Sequence, residues 1–184
     1  MAVRAVPAPL AQLPNALTVG RLLLIPVFVV LMIDAGDSPS WPAGIVFGVA
    51  GVTDQVDGYL ARRWHVESRF GKIADPLADR LMIDAAVLLL VVYGRLPWVG
   101  LVVIVARDLL LLVGWRVLAP RGIDIDVNVI GKGATWVLYA AIGFRIVTPE
   151  SASWPLWLFW IGLGGAVAAG AMYVRDARKE LRAS

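Results

Sequence analysis

The sequence predicts an all-α integral membrane protein with six transmembrane helices and both termini on the cytoplasmic side. Three observations carry that prediction. Apolar residues fill 59% of the 184 positions and charged residues only 17%, with a mean hydropathy of +0.76. A soluble domain carries about a quarter charged residues, so here the bilayer has to act as solvent for much of the surface. Apolar stretches recur at about 17–33, 41–60, 74–93, 97–118, 129–147 and 155–174, each near the roughly 20 residues that cross a hydrocarbon core. The cations then set the orientation. Arg4 and Arg21, the 62–72 loop, the 116–132 loop and Arg175, Arg178, Lys179 and Arg182 hold most of them, whereas the alternate connections offer little beyond Arg95 and Arg145. The positive-inside rule places the cation-rich connections in the cytoplasm.

Taken in order, residues 1–14 contain Pro7, Pro9 and Pro14, which prevent a continuous helix before Asn15. An N-terminal interfacial segment over 1–14 is expected, with Asn15 or Thr18 capping the first span. The apolar run that follows has no small-residue cleavage pattern and is kept as mature structure. The second and third spans are joined by the polar 62–72 stretch, long enough to reverse direction at the membrane surface, and His65 within it reads as a solvated loop residue. The fourth and fifth spans are joined by the basic 116–132 stretch. Trp41, Trp98, Trp154, Trp157 and Trp160 fall near span ends and read as interfacial anchors. Residues 175–184 form a basic cytoplasmic tail that continues the last helix against anionic headgroups. No internal repeat, linker or low-complexity segment divides the chain, so 1–184 is a single membrane domain.

The chain has no cysteine and one histidine, which excludes disulfides, thiolate sites and imidazole clusters. A metal here would have oxygen ligands, favouring Mg²⁺, Mn²⁺ or Ca²⁺ over zinc. Against this background one run is conspicuous: Asp54-x-x-Asp57-Gly58-x-x-Ala61-Arg62, eight residues, then Gly71-x-x-x-Asp75-x-x-x-Asp79. On a helix Asp54, Asp57, Gly58 and Ala61 share one face, and Asp75 and Asp79 lie one turn apart on the next. Four carboxylates brought together across a helix hairpin repel unless they are protonated or bridged by cations. Two divalent ions resolve the repulsion and create a reactive centre. Gly58 and Ala61 leave room for a flat group, and Arg62 carries a fork suited to phosphate. The structural alternative pairs the acids with Arg62, Arg63, Arg69 and Arg80. A second alternative, an ion-coupled transporter, would spread acids along a pore or across inverted repeats; here they cluster at one end of two helices.

With every spacing intact, the run resembles the signature of the CDP-alcohol phosphotransferase family, D-x2-D-G-x2-A-R-x8-G-x3-D-x3-D. The resemblance implies a six-helix membrane enzyme of phospholipid synthesis. In such an enzyme CDP-diacylglycerol gives its phosphatidyl group to an alcohol and CMP leaves. It further implies that Asp54, Asp57, Asp75 and Asp79 bind two Mg²⁺ or Mn²⁺ ions, and that Asp79 takes the proton of the acceptor hydroxyl. Gly58, Ala61, Arg62 and Gly71 resemble the nucleotide-contacting positions. A homodimer is common in the family, membrane lipids are the surroundings, and no nucleic acid is expected as a partner.

The acceptor is read from outside the motif. Leu13-Pro14-Asn15-Ala16-Leu17-Thr18-x-x-Arg21 with Pro26 resembles the branch of phosphatidylglycerophosphate synthases and CMP-forming cardiolipin synthases. Arg107-Asp108, Asp79-Arg80 and Gly131-Lys132-Gly133-Ala134-Thr135 look more like the cardiolipin synthase type, so phosphatidylglycerol is the expected acceptor and glycerol 3-phosphate the alternative. Arg107, Arg116 and Lys132 are the residues expected to hold an acceptor phosphate; for Arg116 and Lys132 the competing role is to anchor helix ends by snorkelling. Asp84 lies deeper in the third span with no partner assignable from spacing.

Overall fold

A computed structural model describes residues 13–64, 69–118 and 129–183. Within these the side chains of 13–15, 57–64, 69–79, 111–112, 114–118, 129–130, 176, 178–179 and 181–183 lie outside the description. Among the described residues six helices follow one another: α1 Leu13–Ala35, α2 Trp41–Trp64, α3 Arg69–Val92, α4 Trp98–Leu118, α5 Val129–Val147 and α6 Trp154–Ala183. No strand occurs among the described residues. The all-α expectation holds, and each helix contains one of the six apolar stretches.

The helices outrun those stretches at their polar ends. α2 continues through Arg62 to Trp64 and α3 begins at Arg69, so Arg62, Gly71 and Lys72 sit on helices rather than in the expected 62–72 loop. α4 carries Arg116 and α5 carries Lys132, as the 97–118 and 129–147 stretches anticipate. Backbone hydrogen bonding is indifferent to hydropathy, and a span ends where its apolar residues end only if something else stops the helix. The start of α1 also corrects an expectation. It begins at Leu13, so neither Asn15 nor Thr18 is its N-cap, and Pro14 falls in the first turn, where its missing N–H is not needed. Residues 1–12 and His65 lie outside the described residues. α6 does continue through the basic tail, to Ala183.

Local chemistry explains the stops that are seen. Gly36 (φ 60°) and Gly94 (φ 70°) take the left-handed conformation that ends α1 and α3. After α3, Arg95 N–H donates to Leu90 O (2.7 Å) and Gly94 N–H to Val91 O (3.0 Å), the paired pattern of a Schellman cap. Ser40 starts α2, its Oγ accepting from Ala43 N–H at 3.2 Å.

The core runs along the bundle axis through Phe28, Met32, Phe47, Met82, Leu90 and Ile142, all buried. α1 packs on α2 and α3, α5 on α2 and most extensively on α6, and α4 on α6. Near the acidic half of α2 the packing is close. A Cβ on Gly51 would stand 2.4 Å from the Tyr139 ring of α5. That ring stacks on Phe47 with centroids 4.4 Å apart, and its hydroxyl donates to Phe47 O at 2.9 Å. A glycine one turn before Asp54 thus lets α5 seat α2 directly, fixing the height and rotation of the helix that carries the first two aspartates.

At the opposite end two arginines tie the short connections together. Arg95 is 1% exposed and Arg145 5%. Arg95 donates from Nη1 to Ser38 O (3.0 Å) and Ile146 O (3.4 Å), and from Nη2 to the carbonyls of Arg145 and Thr148. Arg145 returns a bond from Nε to Arg95 O at 2.7 Å, and its Nη1 donates to the carbonyls of Pro149, Glu150 and Ala152. Burial first, and then the Arg145 guanidinium, hold Arg95 below the usual guanidinium range. The cage of carbonyl acceptors supplies what solvent no longer does. These two cations, exceptions to the charge asymmetry in the sequence, are internal braces.

The outward faces are apolar. Leu23, Ile45, Val92, Val102, Trp136 and Ile161, one from each helix in turn, are all more than half exposed. Trp41, Trp98, Trp154, Trp157 and Trp160 also point outward. Among the described residues two helical segments, Ala16–Ala35 and Trp154–Arg175, are long and apolar enough to cross a bilayer.

Candidate active site

The acidic run occupies the end of the bundle away from the arginine braces. Asp54, Asp57, Gly58, Ala61 and Arg62 lie in the C-terminal half of α2, and Gly71, Asp75 and Asp79 in the first half of α3. The two helices are joined by only 65–68 and pack against each other. The helical register therefore holds on both sides: one acidic face on α2, and two aspartates one turn apart on α3. The side chains of Asp57, Arg62, Asp75, Asp79 and Arg116 lie outside the described residues, as does any side-chain environment of Gly58, Ala61 and Gly71.

The Asp54 side chain is described, and one partner is an arginine that the sequence placed only in the charge bias and the branch motif. Arg21 Nη1 on α1 lies 2.6 Å from Asp54 Oδ1, and Gln55 Nε2 donates to Oδ2 at 3.1 Å. Arg21 is 1% exposed and Asp54 23%. Arg21 belongs to the buried stripe of α1, Thr18, Arg21, Phe28 and Met32, which is apolar at one end and polar where it meets the acids. The spacing of that stripe was a readable signal that Arg21 points inward; where it ends was not.

A second polar cluster joins α3 to α4. Arg80 Nη1 lies 3.5 Å from Asp108 Oδ2 and also donates to Asp108 O at 3.4 Å. Arg107 Nη1 donates to Asp108 Oδ1 at 3.1 Å. Arg80, one of the four arginines of the salt-bridge alternative, is thus committed to α4 instead of a motif aspartate in every ion pair described for it. Asp108 links it to Arg107, the first of the expected acceptor residues. A cavity of about 30 Å³, lined by Arg107, Asp108, Thr135, Ile83, Leu138 and Leu163 among others, adjoins the pair. Asp84, further along α3, has its Oδ1 buried with no hydrogen-bond partner among the described residues. Lys132 is exposed on the first turn of α5, and no described contact brings it to Arg107.

The sequence model of the CDP-alcohol phosphatidyltransferase family matches residues 11–168, which takes in α1 to α5, the first half of α6 and the whole acidic run. The chain belongs to that family. It is a CDP-alcohol phosphatidyltransferase, and the transporter alternative falls with that result. Similar proteins include the "CDP-diacylglycerol--glycerol-3-phosphate 3-phosphatidyltransferase" of Bacillus subtilis, 34% identical over 168 residues that cover 80% of this chain and 86% of the relative. Proteins of the same name from Haemophilus influenzae and Escherichia coli are 34% and 31% identical, covering 72% and 83% of this chain and 74% and 83% of their own lengths. For a CDP-alcohol phosphatidyltransferase the donor set suits hard cations: carboxylate oxygens, no thiolate, and an Asp54 oriented by a guanidinium 2.6 Å from its Oδ1.

Proposed function

We propose that the protein transfers the phosphatidyl group of CDP-diacylglycerol to glycerol 3-phosphate and releases CMP. The observation that carries this reading is the name shared by relatives at 31–34% identity over most of both chains. It favours the alternative acceptor over the expected one. Phosphatidylglycerol was read from a few positions around Arg107 and Lys132, and similarity spread over 80% of the chain outweighs a handful of positions. Glycerol 3-phosphate, the alternative, takes its place.

Asp54, Asp57, Asp75 and Asp79 would hold two Mg²⁺ or Mn²⁺ ions. When bound, these neutralise the diphosphate and stabilise the leaving CMP. The acceptor hydroxyl oxygen bonds to the phosphatidyl phosphorus, its proton passes to the Asp79 carboxylate, and the phosphorus–oxygen bond to CMP breaks. Gly58, Ala61 and Gly71 give the nucleotide close access to the helix backbone, and Arg62 presents its fork to phosphate. Arg107, pinned by Asp108, would meet the acceptor phosphate together with Arg116 and Lys132. All six helices, 19 to 30 residues long and apolar on their outward faces, fit a six-span membrane protein with the acidic end in the cytoplasm. There a lipid-linked nucleotide and a soluble acceptor meet.

The test is CMP release by the detergent-purified protein given CDP-diacylglycerol and Mg²⁺ or Mn²⁺, with glycerol 3-phosphate, phosphatidylglycerol, inositol phosphate or serine. Release is expected with glycerol 3-phosphate. Preference for phosphatidylglycerol would restore the other acceptor, and release with none of them would sink the reading. Arg107→Ala is expected to raise the KM for glycerol 3-phosphate roughly tenfold or more, the loss of one charge-assisted contact, with the KM for CDP-diacylglycerol unchanged.

A further inference from the structure

We propose that Arg21 is a positioning residue of this active site: from α1 it grips the Asp54 carboxylate and holds it in the orientation in which it binds a divalent cation. The inference rests on the two-cation reading above. Its basis is a pair between elements that the motif does not contain. Arg21 Nη1 stands 2.6 Å from Asp54 Oδ1, across 33 residues of sequence, with the guanidinium 1% exposed and the carboxylate 23%. The cation is on the inside and the anion opens outward.

A guanidinium buried this deeply is expensive to desolvate, and attaching α1 to α2 does not require one. Phe28 and Met32, two and three turns further along the same buried stripe, already do that with apolar surface. What a charge at position 21 adds is a fixed direction for Asp54. Close by, Gly51 and Tyr139 fix the height of α2 itself, so backbone and side chain of the first acid are each held from a neighbouring helix. The motif supplies Asp54 at the right register; α1 supplies its aim.

The competing role is a counter-ion that an incoming cation must displace, and the two predict opposite signs. A group that hydrogen-bonds a ligand carboxylate from behind raises affinity, and its removal typically costs 10–100-fold in metal binding or activity. A displaced counter-ion competes, and removing it tightens binding. At 1% exposure Arg21 has no solvent into which to swing, so the geometry favours support over competition.

The experiment uses the full chain in detergent and Mn²⁺ as the probe, with free Mn²⁺ read by electron paramagnetic resonance. Wild type, Arg21→Gln, Arg21→Lys and Asp57→Asn are compared, with melting in a chelating buffer measured in parallel. Arg21→Gln is expected to weaken Mn²⁺ binding 10–100-fold and to shift the Mn²⁺ dependence of CMP release by the same factor. Arg21→Lys, which keeps the charge but loses the fork, is expected to recover part of the loss. Should Arg21→Gln fail to fold, Arg21→Lys decides, with a weaker Mn²⁺ site at near wild-type melting as the supporting result. Unchanged or tighter Mn²⁺ binding in a folded Arg21 variant, while Asp57→Asn weakens it, would overturn the inference and leave the cation reading standing. No Mn²⁺ binding by wild type, or none lost in Asp57→Asn, would remove the cation reading and this inference together.

Discussion

An Asp79→Asn variant is expected to release CMP about 10²–10⁴-fold more slowly than wild type at saturating CDP-diacylglycerol and glycerol 3-phosphate, the usual contribution of a positioned general base. Asparagine keeps the size of the side chain and one oxygen, but it accepts no proton at neutral pH. The substitution also removes one of four like charges, which relieves repulsion rather than adding to it, so melting of the cation-free protein is expected to hold or rise slightly. Asp57→Asn makes the contrast. If Asp57 serves only to bind a cation, higher Mn²⁺ restores much of its activity, whereas no concentration of Mn²⁺ restores a missing base. Steady-state CMP release across a Mn²⁺ series separates the two. Activity in Asp79→Asn within tenfold of wild type, or full rescue by metal, would take the base role away from Asp79.

The second large effect lies at the other end of the bundle. Arg95→Met is expected to cost about 3 kcal/mol or more of stability, because a buried acceptor left without a donor costs about 1–3 kcal/mol. Arg95 serves four carbonyls, on Ser38, Arg145, Ile146 and Thr148. Methionine fills the volume and satisfies none of them. Arg95→Lys is expected to fall between, since an ammonium cannot span the positions that a planar fork reaches. The site is remote, so KM values at a temperature where the variant is folded are expected to match wild type. Thermal unfolding in detergent with parallel kinetics checks this. Wild-type melting in Arg95→Met would mean that the arginine cage does not brace the connections.

Much of the fold was legible, for a local reason. Six helices follow from apolar runs of spanning length, and the face shared by Asp54, Asp57, Gly58 and Ala61 follows from the helical repeat; both need only near neighbours in sequence. Helix ends were read less well. Arg62 and Gly71 were expected in the 62–72 loop and lie on helices, because loss of hydropathy marks the membrane boundary and not the end of hydrogen bonding. The acceptor was read from a few positions around Arg107 and Lys132, whereas the relatives, similar over most of the chain, favour the alternative, glycerol 3-phosphate.

What the sequence by itself determined is the helix count, the register of the acids and, through their spacing, the family. What only the tertiary structure decided is which charge meets which. Arg21 finds Asp54 across 33 residues, Arg80 finds Asp108 across 28, and Arg145 finds Arg95 across 50. In the sequence Arg95 and Arg145 were surplus cations on the wrong side, and Arg21 a cation among several at the N-terminus. The physical reason is that an arginine's periodicity tells which way it points, while its partner depends on how helices stack. In a low-dielectric interior that pairing, more than the presence of the charge, decides whether it braces the fold or aims a ligand.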